Sequence, residues 1–334
     1  MTSDTCMENW LRQIAGIFAF LILSVILTGC YKETYEDCPP GRWIYFESVM
    51  PKYVYNNIVE NAELYLYNAG GNLVNKYEYG LSEVKANGGK LLLPFQPNGD
   101  YTLVSVINRS DEYYNVADAE HTTSGKLSIL CDNNSTVNQM QCNIYHAYQT
   151  VSFDRYSITR EETDTLDLYK NTNDFTIEIR YIGNNIPTGV VDMHITALNG
   201  TYGYDNKLVS DAIRHYKPYT YNQEESQYLI RTMRFQTDTD ILLNLELWTD
   251  NYEVGMGTNT RNSSDEPQVI RSHRLNINEF LSGVKDSKGN YLYDTNDKLE
   301  QEDHFHIVVT LDRDFDINGI TVNSWFAIRP VEEL

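Results

Sequence analysis

Beyond residue 40, apolar and polar residues repeatedly alternate with a period of two, the spacing of strands that bury one face and wet the other. Ala62–Tyr67, Tyr101–Ile107, Phe175–Tyr181, Leu242–Trp248, His306–Leu311 and Ile320–Phe326 all read this way. Turn-forming runs separate them: Asn68-Ala69-Gly70-Gly71-Asn72, Pro97-Asn98-Gly99-Asp100, Asn199-Gly200, Lys288-Gly289-Asn290 and Asn318-Gly319. Only Asn276–Leu281 has helical spacing. The pattern predicts an all-β protein built of stacked sandwiches. The chain's 26 tyrosines fit strands whose outer face is aromatic but wet.

One segment breaks the alternation. Ile14–Leu27 is uncharged, with Ser24 its single polar residue. As a helix it measures about 21 Å, short of a ~30 Å hydrocarbon core. It ends in Leu27-Thr28-Gly29-Cys30, which reads as a bacterial lipobox. Residues 1–29 are then a cleavable lipoprotein signal peptide, and Cys30 is the lipid attachment site of the mature chain. Acyl chains there, at ~0.8 kcal/mol per buried CH₂, hold a protein on a membrane. Residues 30–40 form a lipidated tether stiffened by Pro39-Pro40. The charged stretch Asp154–Thr165 suggests a boundary between an N-terminal β-sandwich over 41–160 and a C-terminal one over 161–334. Polar segments near 199–227, 251–266 and 283–303 read as long loops suited to a partner.

A net charge of −21 disfavours nucleic acid and anionic headgroups, so any membrane hold must come from the lipid. Of five cysteines, Cys6 leaves with the signal and Cys30 is lipidated, which leaves Cys38, Cys131 and Cys142. Cys131 and Cys142 flank the polar run Asp132–Ser135, a hairpin-like spacing that suggests a disulfide; an odd third thiol keeps other pairings open.

Candidate chemistry is sparse. His304 and His306 share a strand face, but with no third ligand they read as a solvated edge. Asp314-Phe315-Asp316-Ile317-Asn318-Gly319 copies the start of a calcium loop, yet Trp325 stands where the bidentate acid belongs, so a tight acidic turn is expected. Tyr202-Gly203-Tyr204 and Tyr216–Tyr221 are candidates for stacking on sugars, though packing is the commoner fate of such clusters. No nucleophile motif occurs, and neither an enzyme nor a cofactor is expected.

A wider order connects these parts. The lipobox is followed by Glu36-Asp37-Cys38-Pro39-Pro40 and a first strand, Trp43-Ile44-Tyr45-Phe46. Then come Ala62–Tyr67, Pro97–Val104 and Leu166-Asp167-Leu168-Tyr169-Lys170-Asn171-Thr172-Asn173, with Ile320–Trp325 at the close. This order resembles the fimbrillin-A-associated anchor family of Bacteroidetes, lipoproteins at the base of fimbriae. The resemblance implies two tandem transthyretin-like β-sandwich domains. It also implies a structural role: anchoring a fimbria to the outer membrane through lipid on Cys30, and assisting assembly or length control through β-strand contact with the shaft subunit (fimbrillin). A cut after Cys30 would free an anchor from its lipid, so the strand at Trp43–Phe46 is expected to stay in place. The partner contact is expected at the C-terminal strand, through Ile320, Val322, Trp325 and Ile328. The alternative is a surface glycan-binding lipoprotein of a polysaccharide-uptake system.

Overall fold

The computed structural model of the chain describes residues 41–50, 59–137, 142–154, 163–183, 189–209, 212–222, 226–249, 268–302 and 304–328. Cys30 and the tether lie outside these residues, as do 251–266. In chain order the first half holds β1 (Gly41–Met50), β2 (Asn61–Tyr67), β3 (Leu73–Gly80), helix α1 (Leu81–Ala86), β4 (Lys90–Pro94), β5 (Gly99–Ile107), β6 (Tyr114–Ala117), β7 (Lys126–Ile129), β8 (Thr136–Val137), β9 (Tyr145–Phe153) and β10 (Thr163–Lys170). The second half holds β11 (Thr172–Tyr181), β12 (Val190–Ala197), β13 (Thr201–Gly203), β14 (Arg214–Tyr216), β15 (Thr220–Asn222), β16 (Gln227–Met233), β17 (Ile241–Trp248) and β18 (Val269–Asn276). Helices α2 (Ile277–Gly283) and α3 (Asn296–Glu300) and strands β19 (His304–Leu311), β20 (Ile317–Val322) and β21 (Trp325–Ile328) complete it.

The period-two pattern is what builds the layers. In β17, Ile241, Leu243, Leu245 and Leu247 are buried while the residues between them are half-exposed. The first half forms a seven-stranded sheet in the order β3-β2-β5-β9-β10-β1-β4. It curls over a core that includes Ile44, Phe46, Leu64, Leu66, Leu103 and Leu166. Its two edges approach each other, and the Tyr79 hydroxyl on β3 donates to Leu92 O on β4 at 2.6 Å. In the second half a six-stranded sheet (β15-β16-β11-β19-β20-β21) packs on a five-stranded one (β18-β17-β12-β14-β8). Phe175, Ile195, Leu243, Phe305 and Ile307 fill the space between, and α2 adds Ile277, Phe280 and Leu281. The expected helix is therefore present, capped by Asn276, whose side chain accepts from Glu279 N.

Four turns share one device. The side-chain oxygens of Asn68, Asp132, Asp286 and Asp312 each accept the backbone N–H groups two and four residues on. The residue three on has positive φ in every case: Gly71, Ser135, Gly289 and Phe315. Phe315 tolerates this strained conformation because its ring is fully buried, plugging the end of the sandwich. The tight turn between β19 and β20 thus pivots on Asp312, while Asp314 is exposed.

The structure departs from expectation at several places. β10 pairs with β1 and β9, so the first sheet runs through Lys170, past the boundary placed at 160/161. The run Ile320–Phe326 is not one strand. Asn323 and Ser324 both take positive φ (48° and 71°), a two-residue hairpin turn that folds β21 back on β20. Tyrosine is largely an interior residue here: Tyr67, Tyr114, Tyr202, Tyr204 and Tyr216 are essentially without exposed surface. The Cys131–Cys142 disulfide is not formed, and both thiols are free. Cys131 faces Val137 across the Asp132 turn, while the Cys142 thiol lies 3.5 Å from Asn108 O.

Candidate functional site

The strand that follows the tether is an interior strand. β1 runs parallel to β10, from Trp43 opposite Thr163 to Met50 opposite Tyr169, and antiparallel to β4 on its other side. Ile44 and Phe46 are fully buried. Gly41 lies so close to β4 that a Cβ would sit 2.0 Å from Leu93 O. Arg42 grips Asp164 with two nitrogens, Nε 2.5 Å from Oδ2 and Nη2 2.8 Å from Oδ1, while Nη1 donates to Ser152 O. The charge-assisted Nη2–Oδ1 hydrogen bond within this close ion pair fixes position as well as energy. Replacing Arg42 by Met is expected to cost about 2–4 kcal/mol in denaturant unfolding, because it leaves the Asp164 carboxylate without its cation. A loss under about 0.5 kcal/mol would show that the ladders alone hold β1.

The two halves are tied through residues 199–222, a segment the sequence suggests is loop. β13 pairs with β7 and β14 with β8, so β13 of the second half extends a sheet of the first and β8 of the first half extends a sheet of the second. Behind them lies a buried layer rich in tyrosine. Tyr204 sits against Tyr65 and Tyr67, with ring centroids 5.8 and 5.9 Å apart, and over Gly125, where a Cβ would come within 2.2 Å of the ring. Most of the hydroxyls have partners: Tyr67 donates to Ala119 O at 2.8 Å, Tyr114 to Cys142 O at 3.0 Å and Tyr202 to Arg234 O. Asn199 is the node of this layer. Its amide donates to Met233 O (2.6 Å) and Arg234 O (3.2 Å), and its oxygen accepts from the Tyr216 hydroxyl at 2.7 Å. Arg234 adds Nη1 to Glu300 at 2.8 Å, Nη2 to Asn206 O at 2.9 Å and its guanidinium over the Tyr202 ring. Burial pushes the Tyr202 and Tyr204 hydroxyls up to about 12, so both stay neutral.

At the far end, β18 and β21 are the edges of their sheets on the same side of the sandwich. Arg271 on β18 reaches across to the turn before β20, donating to Asp314 O at 2.9 Å and to Asp316 Oδ1 at 2.6 Å. His273 Nε2 lies 2.5 Å from Phe315 O. Ile320 and Val322, expected to face a partner, are fully buried in the core. The backbone pairs Val322 with Trp325 and Ile320 with Ile328, which places those two residues on the outermost strand.

The remaining candidates lie apart from one another. His304 bonds Thr176 Oγ1 at 3.2 Å and His306 bonds Glu178 Oε2 at 3.0 Å. Among the described residues no group of three or more His, Cys, Asp or Glu side chains is placed to hold a metal ion. Of the aromatic clusters, only Tyr221 is substantially exposed, stacked on Tyr228 at 4.4 Å. Local sequence gave no signal for Arg42 or Asn199, since their partners lie far along the chain.

A family model described as "Fimbrillin-A associated anchor proteins Mfa1 and Mfa2" matches residues 35–328. The chain belongs to this family. That membership puts it among fimbrial anchor proteins, and the fold agrees. The fimbrial anchor protein Mfa2 of Porphyromonas gingivalis superposes with a TM-score of 0.61 at 16% identity, over 87% of this chain and 100% of that one. A candidate polysaccharide-binding protein of Bacteroides thetaiotaomicron gives 0.68 at 18% identity, over 87% and 98%. A candidate adhesin of Bacteroides ovatus gives 0.66 at 17%, over 88% and 96%. A search of curated protein sequences found no match.

Proposed function

We propose that this protein is a structural lipoprotein that fixes a fimbria to the outer membrane through lipid on Cys30 and joins the fibre through its C-terminal half. The observation that carries the reading is the position of β1. It begins at residue 41, directly after the tether, and is held on both sides within the first sheet. Tension applied through Cys30 enters along the β1 axis and loads its two ladders in shear, so many backbone hydrogen bonds resist together. The tyrosine junction then passes the load into the second half. A peripheral first strand would peel away one bond at a time.

The fibre subunit is the expected partner, held at the C-terminal side where β18 and β21 end their sheets. Ile320 and Val322 have no surface to offer, so the contact at the last hairpin is to the backbone edge of β21. The glycan-binding alternative is supported by the likeness to the Bacteroides thetaiotaomicron structure. The burial of Tyr202, Tyr204 and Tyr216 removes most of its candidate stacking residues.

Replacing Cys30 by Ala tests the reading. The folded chain should be shed into the medium, and fimbriae should leave the cell with it, as counted by electron microscopy of cells and supernatant. Cells that kept their fimbriae would refute the anchor.

A further inference from the structure

Most sheet edges of this protein are short. β15 and β13 have three residues, β8 two, and β6 and β21 four, while β4 has five and ends in Pro94. Two edges are eight residues long, β3 and β18. The start of β3 is occupied, because Leu73 N donates to Glu120 O at 2.8 Å and Asn72 bridges His121. Its end carries Tyr79, bonded to β4. β18 pairs with β17 from Val269 to Asn276, and on its outer side it pairs with no other described strand.

A long open edge is a template for another strand, and proteins that avoid pairing blunt such edges with charge or proline. β18 has no proline, its one bulge lies near its start at Ile270, and its charges are unevenly used. Arg271 is committed to Asp316 and His273 to the Phe315 carbonyl. Arg274 is exposed and makes no hydrogen bond or ion pair among the described residues, in a chain of net charge −21. Val269 and Ile270 are 44% and 54% exposed. The register with β17 slips by one residue at Ile270, a bulge, so that Val269, opposite Trp248, shares the face of Ser272 and Arg274. Beside Arg274 opens a small cavity of about 40 Å³, also lined by Thr196, Ile213 and Asp240. The cavity opens on the β17 and β12 side of Arg274, so it is the exposed Val269 and the unanswered Arg274 that form half of a set of cross-strand pairs.

We propose that the outer edge of β18 receives an extended strand of the fimbrial partner, one that carries a carboxylate opposite Arg274 and an apolar side chain opposite Val269. The backbone ladder supplies affinity, and these two positions supply register and choice of partner. The proposal rests on the anchor reading and assigns the fibre contact to a particular strand.

The test uses the full-length lipoprotein in fimbriated cells. Paired substitutions Val269→Lys and Arg274→Glu lie on the surface, so the variant should melt within about 2 °C of the parent and reach the cell surface at its level. It should nonetheless lower cell-held fimbriae by at least about tenfold, the equivalent of 1.4 kcal/mol at the contact, with fibres appearing in the medium. In a separate chain, a photo-crosslinking residue in place of Ser272 should yield an adduct with the fimbrial subunit. Fibres still held by the paired variant, or an adduct only within the chain's own residues 250–267, would overturn the assignment. Cys30→Ala run alongside separates the two ideas. If it sheds fibres while the paired variant keeps them, the anchor stands and β18 is wrong. If it keeps them too, the anchor itself fails.

Discussion

Replacing Asn199 by Leu should lower the unfolding free energy by about 3–5 kcal/mol, the largest loss expected from a single polar side chain in this molecule. Asn199 is fully buried and serves three partners at once: Met233 O, Arg234 O and the Tyr216 hydroxyl. Leucine fills a similar volume but answers none of them. Each orphaned group then bears a desolvation penalty of about 1–3 kcal/mol. The Tyr216 hydroxyl is the worst placed, because its residue belongs to β14 and is held opposite Val137 of β8. Loss of the node should therefore loosen the junction before either sandwich. In hydrogen exchange, the amides of β8, β13 and β14 are expected to lose protection more than those of β5 or β11. Denaturation showing a loss below 1 kcal/mol, or protection lost evenly, would mean that the halves are joined mainly by their apolar core.

That residue also shows where the sequence was legible and where it was not. The long strands could be read because alternation is local: β2, β5, β11, β17 and β19 each write their buried face into consecutive positions. Residues 199–222 could not, because β13, β14 and β15 have three residues each, too few to show a period. Their strand character comes from pairing with distant segments, such as Thr201 with Ser128. The same limit hid β10, whose parallel partner β1 is more than a hundred positions away, and with it the Arg42–Asp164 pair. At 323–324 the strand was read too far, since Asn323-Ser324 puts two polar residues in succession and breaks the alternation where the backbone turns back. The cysteines misled in a related way. The hairpin around Asp132 was legible, but Cys131 faces Val137 across it. Of the proposed site, the lipobox reading at Cys30 could be made from sequence because such a signal is local. The edge on β18 could not, because an edge is a property of the finished sheet.

The chain should lose stability as the pH falls from about 6.5 towards 4.5, and His146 should account for much of the loss. This side chain on β9 faces the junction, is 1% exposed, and neither ring nitrogen has a hydrogen-bond partner among the described residues. Burial pulls its pKa down to about 3, and the nearby positive charge of Arg234 adds to this, with Asp205 opposing it in part. Since the folded value lies below the unfolded one, the unfolded chain binds the extra proton between pH 6.5 and 3. Folding is untaxed above 6.5 and loses up to about 1.4 kcal/mol per unit below it. His194, also lowered chiefly by burial, acts in the same direction. Two half-buried carboxylates with lowered values act mainly below this window. At Asp174 burial is outweighed by Lys170 and Arg231, and at Glu63 it is outweighed by Tyr65, Arg109 and Lys76. Both acids are thus held below their ordinary range and titrate at lower pH. Exchanging His146 for Leu removes the proton acceptor and two unsatisfied nitrogens together. The variant should match or exceed the parent at pH 7.5 and lead it by about 2 kcal/mol more at pH 5, measured by urea unfolding at both values. Parallel stability curves for parent and variant would show that His146 keeps a proton-accepting route to solvent in the folded state. The junction would then be looser than its packed tyrosines imply.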